Sequence, residues 1–402
     1  MSPEGIVPDA AGASPSGLSV RRLILVLAAG GFASTFSARA VEPMVTVIAR
    51  DLQEAPGTIA LLSAAFALPY AFIQPILGPV SDALGKGRIM KACLCALVIA
   101  LVGCAFAADV TTLFGLRIVA GAAAGGVIPA ALALLGDRIP IMHRQVAISR
   151  FLVAVITGQL LGSSLAGIAA EYIGWRGVFG FSAVLLMAAC AATIVGLPAE
   201  AGARSFDLRA ALANYRGLLA NPRARLLFGL VFVEAVPVFG LGPYLASLFE
   251  ARGVGGAREA GFALAGFAIG GLVYSLIVAW LLRVLGLGRM LALGGIVCAV
   301  ALFLIGGGGP WHMTGAAMLL LGTGFYMLHN SFQTQVTELT QQARASAVAL
   351  HAFSFFCGQA LGVVIVGFGL SAAGLALTIP VLAALILGVG FCAATGLPKP
   401  GR

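Results

Sequence analysis

The chain has 402 residues, of which 60% are hydrophobic and 10% charged, and its net charge is +9. A soluble globular domain carries about 45–50% apolar residues with Gly included and about 25% charged residues. The composition therefore excludes a water-soluble enzyme and a disordered or fibrous protein. The apolar runs are continuous, which argues against a transmembrane barrel with its alternating strands. We predict an all-α, polytopic membrane protein.

Apolar stretches long enough to cross a bilayer follow one another along the chain. A spanning helix needs about 20 apolar residues. Residues 1–20 are rich in Ser, Pro, Gly and Ala and are predicted to be a disordered tail. A cleaved signal peptide ending near Ala38 is the alternative, and it would leave eleven spans. The twelve predicted spans are residues 23–48, 58–80, 89–108, 112–136, 146–170, 177–196, 226–248, 260–282, 290–308, 313–336, 346–369 and 375–395.

The basic residues indicate the orientation of these spans. With a cytoplasmic N-terminus, 18 of the 24 Lys and Arg residues fall on the inner side and 4 on the outer side, and Arg39 and Arg117 lie within spans. This asymmetry predicts that both termini are cytoplasmic. The positive charge is attributed to topology and to anionic lipid headgroups, so the bilayer is a partner and nucleic acid is not. We expect a multi-pass protein of the plasma membrane, a bacterial inner membrane.

The seven cysteines all fall inside apolar spans, and none belongs to a C-x-x-C motif. Their number is odd and their spacing does not suit a metal. We expect them to be small buried hydrophobic side chains. No metal site and no bound cofactor is predicted.

An internal repeat divides the chain into two halves. The segment from Arg144 aligns with the segment from Arg344 at an offset of 200, with 7 of 24 residues identical and a shared G-Q-x-L-G. Two halves of equal orientation indicate a parallel repeat about an axis along the membrane normal. The predicted units are the tail 1–20, a six-helix bundle over 21–196, a cytoplasmic linker over 197–225, a second six-helix bundle over 226–396, and a cytoplasmic tail over 397–402.

Short motifs resemble those of the major facilitator superfamily. The loop GPVSDALGKGR, residues 78–88, is similar to the family signature G-x-x-x-D-(R/K)-x-G-R-(R/K), with Gly78, Asp82, Gly85 and Lys86 in register. Span 4 carries Arg117-x-x-x-Gly121, similar to the family's arginine motif. Span 5 resembles the drug/proton antiporter motif through Gly158, Gly162 and Gly167, although Ser163 and Ala166 replace its Pro and one Gly. The resemblance implies two bundles that rock about a central site.

Glycines and basic residues of these motifs have physical reasons of their own. Gly85 permits a tight turn, and Lys86 and Arg88 can contact the negative ends of helices and so latch the bundle in one state. The alternative is that they are ordinary positive-inside anchors. Helix-packing glycines are expected at a rocking interface, with static packing as the alternative. They are Gly121, Gly158, Gly162, Gly167, Gly358 and Gly362.

Ionisable residues inside spans are costly and are therefore functional candidates. Arg39 and Glu42 can pair at i, i+3, and Arg117 lies at a similar outer depth, which predicts an outer charged cluster in the first bundle. Glu42 in the headgroup region as an anchor is the alternative. Glu234 in span 7 has no basic residue within a helical turn, and Pro237 follows it. Such a carboxyl suits proton coupling, or it is a protonated structural group.

Polar side chains of spans 10 and 11 complete the candidate site. His329 and His351 titrate near physiological pH and extend the proton-accepting cluster around Glu234, unless they are hydrogen-bonded helix contacts. A second set is expected to line the substrate cavity, because its members form polar faces on spans 2, 10 and 11. These are Tyr70, Gln74, Tyr326, Asn330, Gln333 and Gln359, together with Arg39 and Glu42.

The preferred function is proton-coupled export of a small organic or drug-like solute by alternating access. Glu234 is expected to take up the proton and Arg117 to counter its charge. The proton gradient is the energy source, and a monomer is expected. Symport or uniport of a sugar, amino acid or organic acid is the runner-up, since Arg39 and Arg117 suit a carboxylate. A non-transporting receptor is the remote alternative, and an enzyme is not expected because no metal-ligand spacing, activated nucleophile or phosphate loop occurs.

Overall fold

The computed structural model describes residues 17–197, 208–340 and 343–397. Within these ranges the chain is helical and contains no strand. Residues 1–16 and 398–402 of the predicted tails and residues 198–207 of the predicted linker lie outside the described residues. Residues 17–20, which were predicted to be disordered, belong instead to the first helix. We refer to residues 17–197 as the first half and to residues 208–397 as the second half.

The helices follow one another with short connections. Those of the first half are α1 (Gly17–Arg39), α2 (Val41–Leu52), α3 (Pro56–Leu84), α4 (Lys86–Ala105), α5 (Val110–Ala124), α6 (Val127–Arg138) and α7 (Ile141–Gly196). Those of the second half are α8 (Leu208–Ala220), α9 (Pro222–Gly240), α10 (Leu245–Arg252), α11 (Ala257–Gly307), α12 (Trp311–Glu338) and α13 (Arg344–Gly396), with a 3-10 turn over Gly242–Tyr244.

Three of the long helices are pairs of spans joined at a glycine. The chain bends at Gly174 in α7, Gly286 in α11 and Gly374 in α13, where φ lies between +67° and +69°. A residue with a Cβ rarely adopts this φ, so glycine permits a reversal without a longer loop. Within the described ranges, eight helical segments are long and apolar enough to cross a membrane, and three of them contain two spans each. With α12, whose polar stripe lowers its hydropathy, they give the twelve spans predicted.

Three spans contain a break, of which only the one in span 7 was expected from its prolines. Span 1 breaks at Ala40 between α1 and α2, and span 7 breaks at Leu241 before the 3-10 turn. A proline lacks the N–H that would bond to the carbonyl four residues earlier, which explains a break just before Pro43 and before Pro243. These two prolines are 200 residues apart, so the repeat includes the broken helix.

The third break lies between α5 and α6 at Gly125. Pro129 cannot donate to the Gly125 carbonyl, and the Gln74 side chain replaces that donor with a hydrogen bond of 3.0 Å from Nε2. Gln74 is buried on α3. A side chain of a neighbouring helix therefore satisfies the backbone group that the proline leaves free, as membrane interiors require.

Glycines hold helices together in the same way in both halves. A Cβ placed on Gly158 would stand 2.4 Å from the carbonyl oxygen of Phe32, and one on Gly358 would stand 2.1 Å from that of Phe232. Both pairs of helices are thus in backbone contact, and each residue lies 200 positions from its counterpart. Gly162 and Gly362 meet the Phe36 and Val236 carbonyls at this same offset, and Gly121 and Gly322 meet those of Phe66 and Phe267 at an offset of 201. The structure therefore shows the repeat directly.

The predicted linker contains a helix that the sequence did not indicate. Helix α8 lies against the bundle, where the Tyr215 hydroxyl donates to the Pro75 carbonyl at 2.7 Å. The Asn221 side chain accepts from the Arg223 N–H at 2.9 Å and begins α9 four residues before the predicted start of the second bundle. The linker residues in the described range are therefore ordered by contact with α3.

The expectation that all cysteines are buried is wrong for two of them. Cys104, Cys190 and Cys298 are buried, but Cys95 and Cys392 are exposed on the helix surface. In a membrane protein the outer surface of a span contacts lipid, so apolar side chains there need no burial in protein.

The alternation of the spans defines two faces of the molecule. The terminal face carries both ends of the described chain and the turn at Gly85. The opposite face carries the turns at Gly174, Gly253 and Gly374.

Candidate substrate pocket and proton site

A pocket lies between the two halves. The first half supplies α1, α2 and α7, and the second half supplies α9, α11, α12 and the 3-10 turn. One part of the pocket lining is polar and the rest is apolar and aromatic, so the pocket suits a solute with one polar end. The polar side chains are Arg39, Glu42, Gln159, Ser163 and Tyr326, and the aromatic rings that face them are Phe239 and Phe267.

The predicted pair in span 1 is present. The Arg39 Nη1 donates to the Glu42 Oε1 at 2.6 Å, and the two side chains are 14% and 9% exposed. The Arg39 guanidinium carbon also lies 4.6 Å from the centre of the Phe239 ring. Glu42 lies within the protein rather than at its surface, so a headgroup anchor does not describe it. Arg39 thus contacts both halves of the molecule.

Arg117 of α5 is fully buried. Its guanidinium lies 4.3 Å from the centre of the Phe66 ring, and its Nε is 3.5 Å from the Leu62 carbonyl oxygen, at the limit of a hydrogen bond. Among the residues described, neither Nη1 nor Nη2 has a hydrogen-bond partner. Glu42 is close enough to act on Arg117 electrostatically. The three residues of the predicted outer cluster therefore lie together, with one carboxylate for two guanidinium groups.

Glu234 of α9 meets His329 of α12. The Glu234 Oε1 lies 2.5 Å from the His329 Nδ1, with Glu234 fully buried and His329 14% exposed. The rings of His329 and His351 are 5.1 Å apart between centres. The Glu234 Oε2 and the His351 Nε2 have no partner within the described chain. The structure thus brings the three residues together, with His329 between the carboxyl and the accessible space.

The remaining cavity candidates lie in different surroundings. Tyr326 lines the pocket, Asn330 is partly buried, and Gln333 is exposed further along α12. Gln359 is buried on α13, and its Oε1 has no partner among the described residues.

Span 2 contributes helix contacts rather than pocket lining. The Tyr70 ring lies 3.9 Å from that of Phe356 between centres, at a contact of α3 with α13. Gln74 bonds to the backbone of α5 as described above. Their part in binding a solute remains a prediction.

Two polar lining residues were not singled out as site residues. Gln159 and Ser163 of α7 line the pocket next to Arg39. The available signal was the repeat itself, because Gln159 is the counterpart of Gln359 in the shared G-Q-x-L-G. The shared motif therefore offered Gln159 as a candidate beside Gln359, although Gln159 is the one that lines the pocket.

The loop that resembles the family signature joins α3 to α4. Gly85 has a φ of +96° there, and the Lys86 Nζ lies 2.5 Å from the Asp137 Oδ2 of α6. Arg88 is exposed. The surroundings of Gly78 and the side chain of Asp82 lie outside the described part. Lys86 thus joins helix ends within the first half.

The pocket is closed at the opposite face. At the opposite face Arg50 and Glu250 form an ion pair between the halves, and a Cβ on Gly167 would stand 2.3 Å from the Ala257 carbonyl oxygen. Toward the terminal face, the side of α7 that lines the pocket becomes more exposed. Along it, Ser163 is buried, Gln159 and Ile156 are partly buried, Leu152 is 39% exposed and Ser149 is exposed.

Twelve spans in two repeated halves, around a pocket with buried charges, define a membrane transporter rather than an enzyme. The family model of the Major Facilitator Superfamily matches residues 27–363, and the chain belongs to this family. A solved structure of the nucleoside transporter NupG superimposes on 93% of this chain and on all of its own, with a TM-score of 0.77 and 14% identity. At that identity the likeness shows the fold alone. No three His, Cys, Asp or Glu side chains of the described chain are grouped to hold a metal ion.

Curated relatives are transporters of the same family. The chain is 24% identical over 255 residues to the uncharacterized MFS-type transporter YwfA of Bacillus subtilis, which covers 62% of this chain and 61% of that protein. It is 31% identical over 158 residues to the multi-drug resistance efflux pump PmrA homolog of Lactococcus lactis, with 38% and 39% covered. It is 25% identical to the gentisate transporter of Corynebacterium glutamicum, with 66% and 62% covered. The chain thus spans less than two thirds of the length of each.

Proposed function

We propose that this transporter exports a small organic solute in exchange for protons. The observation that carries the proposal is the contact of Glu234 with His329 at 2.5 Å, buried within the second half. A carboxyl in such surroundings is stable when protonated or when paired with a protonated imidazole, so it can hold a proton in one state and release it in another. His329 is the partly exposed member of this pair.

The proposal includes the location and the energy source. The protein lies in the plasma membrane, a bacterial inner membrane, with the terminal face in the cytoplasm, as the basic residues favour. The proton gradient drives transport, no cofactor takes part, and the chain acts as a monomer. The pocket side of α7 becomes more exposed toward the terminal face, which favours binding of a solute from the cytoplasm.

Export is favoured by the glycine motif of span 5 and by the likeness to the PmrA homolog, which is described as an efflux pump. Uptake of an organic acid is the second candidate. It is favoured by Arg39 in the pocket and by the likeness to a gentisate transporter. Cells that produce the protein should accumulate less of a labelled substrate than cells without it if it exports, and more if it imports.

Glu234→Gln in proteoliposomes tests the coupling. A panel of labelled solutes that includes ethidium and benzoate first identifies one that moves. The variant should then lose uphill transport driven by an imposed pH gradient, while counterflow exchange of the same solute continues, because exchange needs no net proton movement. Glu338→Gln, at the exposed end of α12, should behave as the wild type. Uphill transport by the Glu234→Gln protein would exclude Glu234 as the proton carrier.

A further inference from the structure

Arg39, Glu42 and Arg117 together carry one more positive than negative charge. All three are largely buried, and within the described chain the ion pair among them is that of Arg39 with Glu42 at 2.6 Å. An unpaired charge taken out of water is strongly unfavourable, and an opposite charge relieves it. The cluster therefore lacks one negative charge to balance its second guanidinium group.

Arg117 is the group that lacks a partner. Its two Nη atoms have no hydrogen-bond acceptor in the part of the chain described, although they belong to a fully buried side chain. Glu42 acts on it electrostatically, but its Oε1 accepts the hydrogen bond from Arg39 instead. One carboxylate thus stands between two guanidinium groups and is bound to one of them.

We propose that the pocket binds a monocarboxylate with a flat apolar body. The carboxylate of the solute forms an ion pair with Arg39, and Glu42 then leaves Arg39 and forms an ion pair with Arg117. This rests on the transport function proposed above and names the class of its substrate. Each guanidinium then has one carboxylate, so binding the solute neutralises the cluster. Because Glu42 exchanges Arg39 for Arg117 when the solute binds, occupation of the pocket changes a contact in the interior of the first half.

The charge balance selects an anion over a cation. A cationic solute would form an ion pair with Glu42 in place of Arg39. Both Arg39 and Arg117 would then lack a counter-charge. An anion leaves no group unpaired. Complementary charge at a buried site discriminates between such solutes by more than the contacts of their apolar parts.

The walls of the pocket select the body of the solute. The Phe239 ring lies under the Arg39 guanidinium, and its centre is 5.5 Å from that of Phe267 in an edge-to-face contact. Leu264 and Met318 complete the apolar side. Aromatic side chains favour a ring in stacked or edge-to-face contact, so an aromatic acid fits better than a sugar acid.

Equilibrium binding of labelled benzoate to the full chain in detergent, at one pH and without a gradient, tests the proposal. Benzoate should bind at least ten times more tightly than benzamide or benzylamine, and Arg39→Gln should abolish its binding. Arg258→Gln changes an exposed arginine outside the pocket and should leave binding unchanged. Equal binding of the three compounds, or none of benzoate, would overturn the proposal.

A pair of variants tests the change of partner. Arg117→Gln should weaken benzoate binding at least tenfold although Arg117 does not line the pocket, because Glu42 then has no second partner. Adding Glu42→Gln should return the affinity to within about threefold of the wild type, since no carboxylate then competes for Arg39. A merely structural role of Arg117 would not be rescued in this way, and absence of rescue contradicts the mechanism. Thermal midpoints confirm that each variant is folded.

These results are independent of the proton experiment. Benzoate binding with uphill transport by Glu234→Gln would refute proton coupling at Glu234 and leave the substrate class standing. If Glu234→Gln loses uphill transport of another solute and the protein does not bind benzoate, the substrate class is refuted and proton coupling at Glu234 stands.

Discussion

Arg50 and Glu250 form an ion pair that joins the two halves at the opposite face, and they occupy equivalent positions in the internal repeat. Their separation is 200 residues, the offset of the repeat. Arg39 and Phe239, which are in contact at 4.6 Å, have the same separation. The pseudo-twofold axis therefore passes between spans 1 and 7, and residues near it meet their own counterparts.

Reversing one charge of this pair should weaken closure of the opposite face. Arg50→Glu or Glu250→Arg brings like charges together, but both side chains are partly exposed. Exposed ion pairs contribute about 0.2–1 kcal/mol, so the closed population should change by up to about fivefold. Distances between spin labels at residues 54 and 258 would report it. The double reversal should restore the wild-type distribution, and a result equal to the sum of the single changes would show that the pair does not couple the halves.

Gly121→Ala should destabilise the first half. Its Cβ would stand 2.0 Å from the Phe66 carbonyl oxygen, and a backbone atom in a helix cannot move aside alone. Overpacking of this kind costs about 1–3 kcal/mol, and we expect the upper end. Gly115→Ala on the same helix is the matched control, because nothing lies within 4 Å of its added Cβ. Thermal midpoints in detergent should fall for the first variant only; equal midpoints would refute the contact.

Gln74→Leu should destabilise the break between α5 and α6. The Gly125 carbonyl would lose its donor in a buried place, at a cost of about 1–3 kcal/mol. Adding Pro129→Ala supplies a backbone N–H four residues later and should recover most of the lost stability. Thermal unfolding of the single and double variants measures both effects. Without recovery, the lost packing of Gln74 rather than its hydrogen bond would be responsible.

Asp51 should contribute a pH-dependent part of the stability. It accepts hydrogen bonds from the Arg176 guanidinium and from the Trp175 Nε1, the latter at 3.0 Å. These bonds, that of Arg176 first, hold the pKa of Asp51 below its ordinary value of 3.8. The stabilisation is therefore complete above that value and is lost as the pH falls through the lowered pKa.

The measurement compares wild type with Asp51→Asn. Their thermal midpoints should differ by a constant amount between about pH 5 and pH 8, and the difference should shrink below about pH 4 as Asp51 protonates. Arg176→Gln should remove the same pH-dependent part. A difference that stays unchanged in acid would mean that Asp51 acts without its charge.

Features with a local cause were predicted from the sequence. The spans follow from the length of apolar runs, and the Arg39–Glu42 pair follows from i, i+3 spacing on a helix. The contact of Glu234 with His329 depends instead on how α9 and α12 are rotated about their axes. That rotation is set by close helix packing, such as the approach of Gly358 to the Phe232 carbonyl, which no local pattern gives.

The break at Ala40 shows another limit. Prolines occur in several spans, and Pro69 and Pro75 lie inside the continuous helix α3. Whether a proline bends a helix or interrupts it depends on which neighbour can satisfy the freed carbonyl. Gln159 was missed for a related reason, because a single polar residue in a span does not reveal which side of its helix faces the pocket.

The two halves share their backbone contacts but not their charges. Arg39 corresponds to Phe239, and Glu234 corresponds to the buried Ser34. Duplication has thus preserved the way in which each half is assembled while ionisable side chains have diverged between the copies. A movement that is the same for both halves consequently changes the surroundings of different chemical groups in each, so a symmetric rotation has an asymmetric chemical outcome.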